Sequence, residues 1–95
     1  MCKRVLLCKI ESTFIIEGVG LVLLPGIPYQ FHRRVRVGEE MVLIRPDGTM
    51  IETSIKSIEL IMRRPPVTHA PFTVNLALKK EDVPIGTEAW ISEID

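Results

Sequence analysis

The segment Tyr29-Gln30-Phe31-His32-Arg33-Arg34-Val35-Arg36 holds the densest set of side chains that could engage a ligand. Aromatic rings stack on bases and guanidinium groups neutralise phosphates, so this interleaving suits single-stranded nucleic acid. The same residues also suit a solvated loop. Its aromatics would then cover the open end of a hydrophobic core, and its arginines would pair with Glu39 and Glu40. Arg63 and Arg64 extend the basic set if the fold brings them close. The formal charge is zero, from 12 Lys+Arg and 12 Asp+Glu, so RNA binding has to come from such local clustering. A global basic excess, which would drive binding through counterion release, is absent.

Other chemistry finds fewer supports. Cys2 and Cys8 fall on one face of a straight strand, roughly 20 Å apart. That exceeds the reach of a disulfide. They are expected as reduced thiols, with Cys8 packed inside. His32 and His69 stand apart from acidic or thiol partners, and no C-x₂-C or H-x₃-H spacing occurs, so no metal site is expected. A nucleophilic Cys8 would need exposure and a nearby imidazole. The serines and threonines lack a nucleophile-elbow context. No G-x-x-x-x-G-K-[ST] loop is present, which removes the parts for nucleotide triphosphate binding and hydrolysis. The expectation is a protein with no catalytic residues and no cofactor.

The elements that must position these residues are extended. Hydrophobic residues make up 46% of the 95-residue chain but aromatics only 5%, so the core rests on Val, Ile and Leu. β-Branched residues pack well on a pleated, half-buried surface. Glycine and proline cut the chain into short apolar runs, which argues for strands. The first run is Val5 to Ile16, ending at Gly18-Val19-Gly20. The second is Leu21 to Leu24, closed by Pro25-Gly26-Ile27-Pro28 as a loop or strand edge, because proline removes backbone donors.

Glu40–Arg45 and Met50–Met62 should form an antiparallel hairpin about the turn Pro46-Asp47-Gly48-Thr49. Ile51, Thr53 and Ile55 share one parity and Ile58 and Leu60 the other, so a β-bulge is expected at Lys56-Ser57. After Arg63-Arg64-Pro65-Pro66 the chain should be irregular to Pro71. Phe72 to Leu78 then alternates, Lys79 to Asp82 reads as a helical turn, and Glu88 to Ile94 alternates again. Val42 and Ile44 should point outward if Met41 and Leu43 point in, giving an apolar surface for a protein partner or for self-association.

The length suits one domain, residues 1–95, with no repeat, low-complexity tract or linker. The N-terminal apolar run stops at Lys9, too short for a signal-peptide core, and no stretch approaches the roughly 20 apolar residues of a membrane span. A cytoplasmic protein without a membrane partner is the expectation.

Four segments together resemble one family. Glu11-Ser12-Thr13-Phe14-Ile15-Ile16-Glu17-Gly18-Val19-Gly20 resembles the strand and glycine turn that open the second domain of elongation factor Tu and other translational GTPases. Val37-Gly38-Glu39-Glu40 resembles its turn into the third strand, and Ser57-Ile58-Glu59-Leu60 its glycine-valine-glutamate-methionine strand. Leu78-Lys79-Lys80-Glu81-Asp82-Val83-Pro84-Ile85-Gly86 resembles the turn before its last strand. The four occur in the family's order and span most of the chain. The resemblance implies an all-β fold, a small six-stranded closed antiparallel, Greek-key-like barrel standing without the GTPase.

It also implies a site. Phe14, Val22 and Glu59 match positions that line the family's pocket for the terminal nucleotide and amino acid of charged tRNA. Val19 and Leu24 stand where the family has an arginine and a threonine, so two polar partners are lost. Glu59 reads more simply as an ordinary outward strand residue, and Phe14 and Val22 as plain core. Other relatives use this domain on ribosomal RNA or partner proteins. A non-catalytic module contacting RNA, or a ribosome- or GTPase-associated partner, is therefore the expected function. The alternative is a protein–protein module such as a small inhibitor, immunity or scaffold protein. A small-molecule pocket in the barrel mouth is a third class, without a convergent polar cluster to support it.

Overall fold

A computed structural model describes residues 3–59 and 68–93 and places seven strands in one antiparallel sheet. They are β1 (Lys3–Lys9), β2 (Ser12–Ile16), β3 (Gly20–Pro28), β4 (Glu40–Ile44), β5 (Met50–Ile58), β6 (His69–Val74) and β7 (Glu88–Glu93). Their order across the sheet is β1-β7-β4-β5-β6-β3-β2. Leu60, Arg63 and Arg64, the Pro65-Pro66 segment, Cys2 and Ile94 lie outside the described residues.

Six strands are expected and seven are found because the run Val5–Ile16 turns a corner. The Ile10 N–H donates to the Thr87 carbonyl at 2.7 Å, and the Gly86 N–H donates back to Ile10 at 2.9 Å. One residue later the Glu11 N–H donates to the Leu24 carbonyl at 2.8 Å. The first half of the run thus joins β7 and the second half joins β3. Among the described residues the ladder is open, with β1 and β2 as its ends, so the sheet is rolled without a continuous ladder to close it. β1 approaches β3 without a ladder. It does so beside Pro25, which has no N–H to give.

Alternation aims the core. Met41 and Leu43 of β4, Ile55 of β5 and Ala89 and Ile91 of β7 are each at most 1% exposed and join one cluster with Leu23 and Phe72. The expected hairpin is present, with Glu40 opposite Ser54 and Ile44 opposite Met50. So is the bulge: Ile55 faces Val74 but Ser57 faces Thr73, leaving Lys56 extra and exposed. The shift returns Ile58 to the core side, opposite Phe72. Thr53 shares its parity with Ile51 and Ile55, and its hydroxyl is buried with no hydrogen-bond partner among the described residues.

Two expectations about loops need correction. Pro25-Gly26-Ile27-Pro28 lies within β3, and β6 begins at His69, before Pro71. The two strands pair there with a shift, Leu23 opposite Phe72 and Ile27 opposite Ala70. Pro25 and Pro71 sit inside that irregular stretch, where no ladder donors are needed. β6 stops at Val74, so Leu76 is not a strand residue and is 45% exposed. The helical turn is a 3-10 turn at Lys80–Asp82, capped by Asp82 accepting from the Lys79 N–H at 2.8 Å. Val83 behind it is 1% exposed and Leu78 packs on the cluster.

Gly26 has φ +107°, and a Cβ there would run into the Ala70 carbonyl and the Pro71 Cα. Backbone atoms cannot swing aside as a side-chain tip can. Gly26→Ala should therefore lower the unfolding free energy by about 3 kcal/mol. A urea titration reads the loss directly, and an unchanged midpoint would contradict the close β3–β6 approach.

Candidate functional site

The Tyr29–Arg36 loop leaves β3 at one end of the roll and is fastened at the other side. Phe31 and Val35 pack against the core cluster, so part of the interleaved pattern is a plug over the hydrophobic interior. Arg33 is the fastener. Its guanidinium donates twice to Glu39, at 2.8 and 3.0 Å, and once to the Ser92 carbonyl at 2.8 Å. Glu39 also accepts from the Arg36 N–H at 2.6 Å. Planar two-point pairing of this kind fixes geometry as well as charge.

What the loop presents outward is smaller than its sequence suggests. Tyr29 is 50% exposed, and His32, Arg34 and Arg36 are exposed. The His32 ring lies 4.4 Å from that of Phe31, centroid to centroid, tilted by 39°.

The hydrogen bonds from Arg33 hold the Glu39 carboxyl below the usual carboxylate range. A depressed folded-state pKa contributes stability above the unfolded pKa, lost as pH falls through the folded value. Glu39→Gln should thus cost about 0.5–1 kcal/mol near pH 7 and progressively less on acidification to about pH 3. Urea midpoints at the two pH values test this; an equal gap at both would remove the charge from the argument.

Phe14 and Val22 share one face of the sheet, and Glu59, just past β5, joins the same row through Ser57, four strands across. Phe14 faces Val22 across β2–β3, and the β3–β6 and β6–β5 registers continue the row through Thr73 to Ser57. The row lies on the outer face, because its neighbours Leu23, Phe72 and Ile58 take the core side. Ser57 Oγ lies 2.6 Å from Thr73 Oγ1 and donates to Glu59 Oε1 at 3.3 Å. Val22 is nonetheless completely buried in the middle of the row, Glu59 is half-buried, and only Phe14 is open, at 40%. Ser57 and Thr73 are the members that motif reasoning missed. Thr73 alternates with Phe72 and Val74, so its outward parity is legible, but the side-by-side placement of Ser57 and Thr73 depends on the bulge and the register.

The remaining candidates are structural. Cys8 is buried, free and touched by the Gly26 backbone, and burial pushes its thiol up to about 11. A thiol held protonated in this way is a poor nucleophile. Val42 points away from Met41 and Leu43 as expected, but it is only 7% exposed, flanked by Trp90 and Glu52 in the register. Ile44 is half-buried, so the two do not form the open apolar surface anticipated for self-association. Val42 instead floors a groove of about 430 Å³ on the outer face, bordered by Trp90, Arg4, Glu40, Glu52 and Asn75. Exposed apolar residues include Met50 opposite Ile44 and Leu76 on the rim of that groove, and, further away, Phe14, Ile15 and Ile16 of β2 with Leu6, Val37 and Ile85.

Among the described residues no group of three His, Cys, Asp or Glu side chains could hold a metal ion. No helix among them is long and apolar enough to cross a membrane. Fold and surface together define an all-β chain: a rolled antiparallel sheet with a fastened, partly cationic loop. The chain matches no protein-family model, no curated protein and no solved structure.

Proposed function

We propose that the chain is a non-catalytic binding module of the translation-factor barrel type, acting in the cytoplasm on RNA through the outer side of the Tyr29–Arg36 loop. The observation that carries this reading is the Arg33–Glu39 anchor. By immobilising the loop against β7, it lets Tyr29, Arg34 and Arg36 face solvent without the entropy cost of a floppy segment. An exposed ring and two exposed guanidinium groups on one loop offer stacking and phosphate contacts. The cross-strand row from Phe14 through Val22 to Ser57 and Glu59 lends support to the barrel type, since its three matched residues share one face.

The test is fluorescence anisotropy with a labelled single-stranded RNA at low and moderate salt. Arg34→Ala with Arg36→Ala should weaken binding at least about tenfold and lower the salt slope by about 1.4, two phosphate contacts at about 0.7 each. Arg33→Ala is not the right probe, because it unfastens the loop. Absence of binding at low salt, or the same slope in the double variant, overturns the RNA reading. The protein–protein reading is favoured by one separate observation: three consecutive apolar residues of β2, Phe14, Ile15 and Ile16, are each at least 39% exposed.

A further inference from the structure

The sheet has two ends, and their outermost residues are complementary. Among the described residues β1 has β7 on one side only, and β2 has β3 on one side only. Near Cys8, β1 leans on Gly26 of β3, and β2 touches the 3-10 turn, so neither edge is open over its whole length. The open stretches are marked by exposure: Lys3, Arg4 and Leu6 on β1, and Phe14, Ile15 and Ile16 on β2, with Glu17 in the turn just after it. Successive strand residues point to opposite faces. Exposures of 40, 59 and 39% at Phe14, Ile15 and Ile16 therefore mean that β2 is bare on both faces as well as along one edge. Such a strand is a template for another strand.

We propose that β2 takes β1 of a second copy of this chain, antiparallel and head to tail. With Lys3 set opposite Glu17, Leu6 meets Phe14 and Val5 meets Ile15, while Arg4 lies opposite Ile16 beside the same carboxylate. Charge meets opposite charge at Lys3 and Glu17, and apolar meets apolar at the Val5–Ile15 and Leu6–Phe14 pairs.

A two-fold β2–β2 pairing is inferior. Centred on Phe14 it sets Glu11 against Glu17 at both ends, and centred on Ile15 it leaves Lys3 and Arg4 without the added counter-charge. Cross-strand like charges destabilise and opposite charges stabilise. Because the two surfaces differ, the contact repeats from copy to copy, into a ring or an open fibre. This inference is independent of the RNA reading.

Sedimentation velocity on the wild type should show a mean mass that rises with protein concentration and falls as salt screens the end charges. Glu17→Lys makes both edges basic and Lys3→Glu with Arg4→Glu makes both acidic, so each variant alone should stay monomeric. Mixed in equal amounts they should assemble again, since each then offers the edge the other needs. Ile15→Lys should stay monomeric in any mixture. All four positions are exposed, and circular dichroism checks that each variant keeps its strands. A wild type that is monomeric at about 1 mM in low salt overturns the proposal. So does assembly indifferent to the charge reversals, and so does a discrete dimer that survives Lys3→Glu with Arg4→Glu but not Ile15→Lys.

Discussion

Every element hangs from the corner at Ile10-Glu11. A flat ladder of seven strands would leave one face bare, and the Val/Ile/Leu side of this sheet needs a partner. The corner supplies it by giving consecutive residues to opposite ends of the ladder: Ile10 to the β7 end, Glu11 to the β3 end. The sheet is thereby rolled about its own apolar face. Ile10 itself is 1% exposed, so the hinge is also a core residue. Among the described residues no continuous ladder closes the roll, and three backbone hydrogen bonds at this point hold its two ends together.

Rolling leaves ends to cover, and the surface features follow from how each is covered. At one end Phe31 and Val35 shield the cluster, and their loop would splay without the Arg33 bridge to Glu39 and Ser92. The Arg45 guanidinium similarly donates to the Asp82 carbonyl at 2.7 Å, tying the β4–β5 turn to the 3-10 turn. Arginine suits both positions because its planar fork reaches two acceptors from one stem. Tyr29, Arg34 and Arg36 are presented outward as a consequence of how the loop is fastened. The outer row ending in Ser57 and Glu59 is likewise a consequence of the bulge at Lys56, which turns the polar pair outward while restoring Ile58 to the core.

Much of this was legible in the residues. Alternation around Met41, Leu43, Ala89 and Ile91 assigned faces correctly, and the parity change at Lys56-Ser57 located a bulge that the register contains. Those signals are local, written in side-chain periodicity. The misses are all non-local. The corner at Ile10 carries no glycine or proline, and it exists because Thr87 and Leu24 compete for adjacent residues of one strand. Pro25 and Pro71 read as strand breakers separately, yet placed against each other they share one irregular patch inside a strand pair. Val42 was legible as outward but not as covered, since covering depends on Trp90 lying beside it. Arg33 could be read as a ligand for phosphate or for Glu39, and only the loop's path separates the two.

Native-state hydrogen exchange at the corner tests the account most directly. If Ile10 and Glu11 hold the two ends of the sheet together, their amides should exchange only through global unfolding, with the same free energy as Leu43 and Ile55 in the central strands. Exchange at Ile10 and Glu11 as fast as at the exposed Gly18 turn, with the central strands still protected, would contradict it.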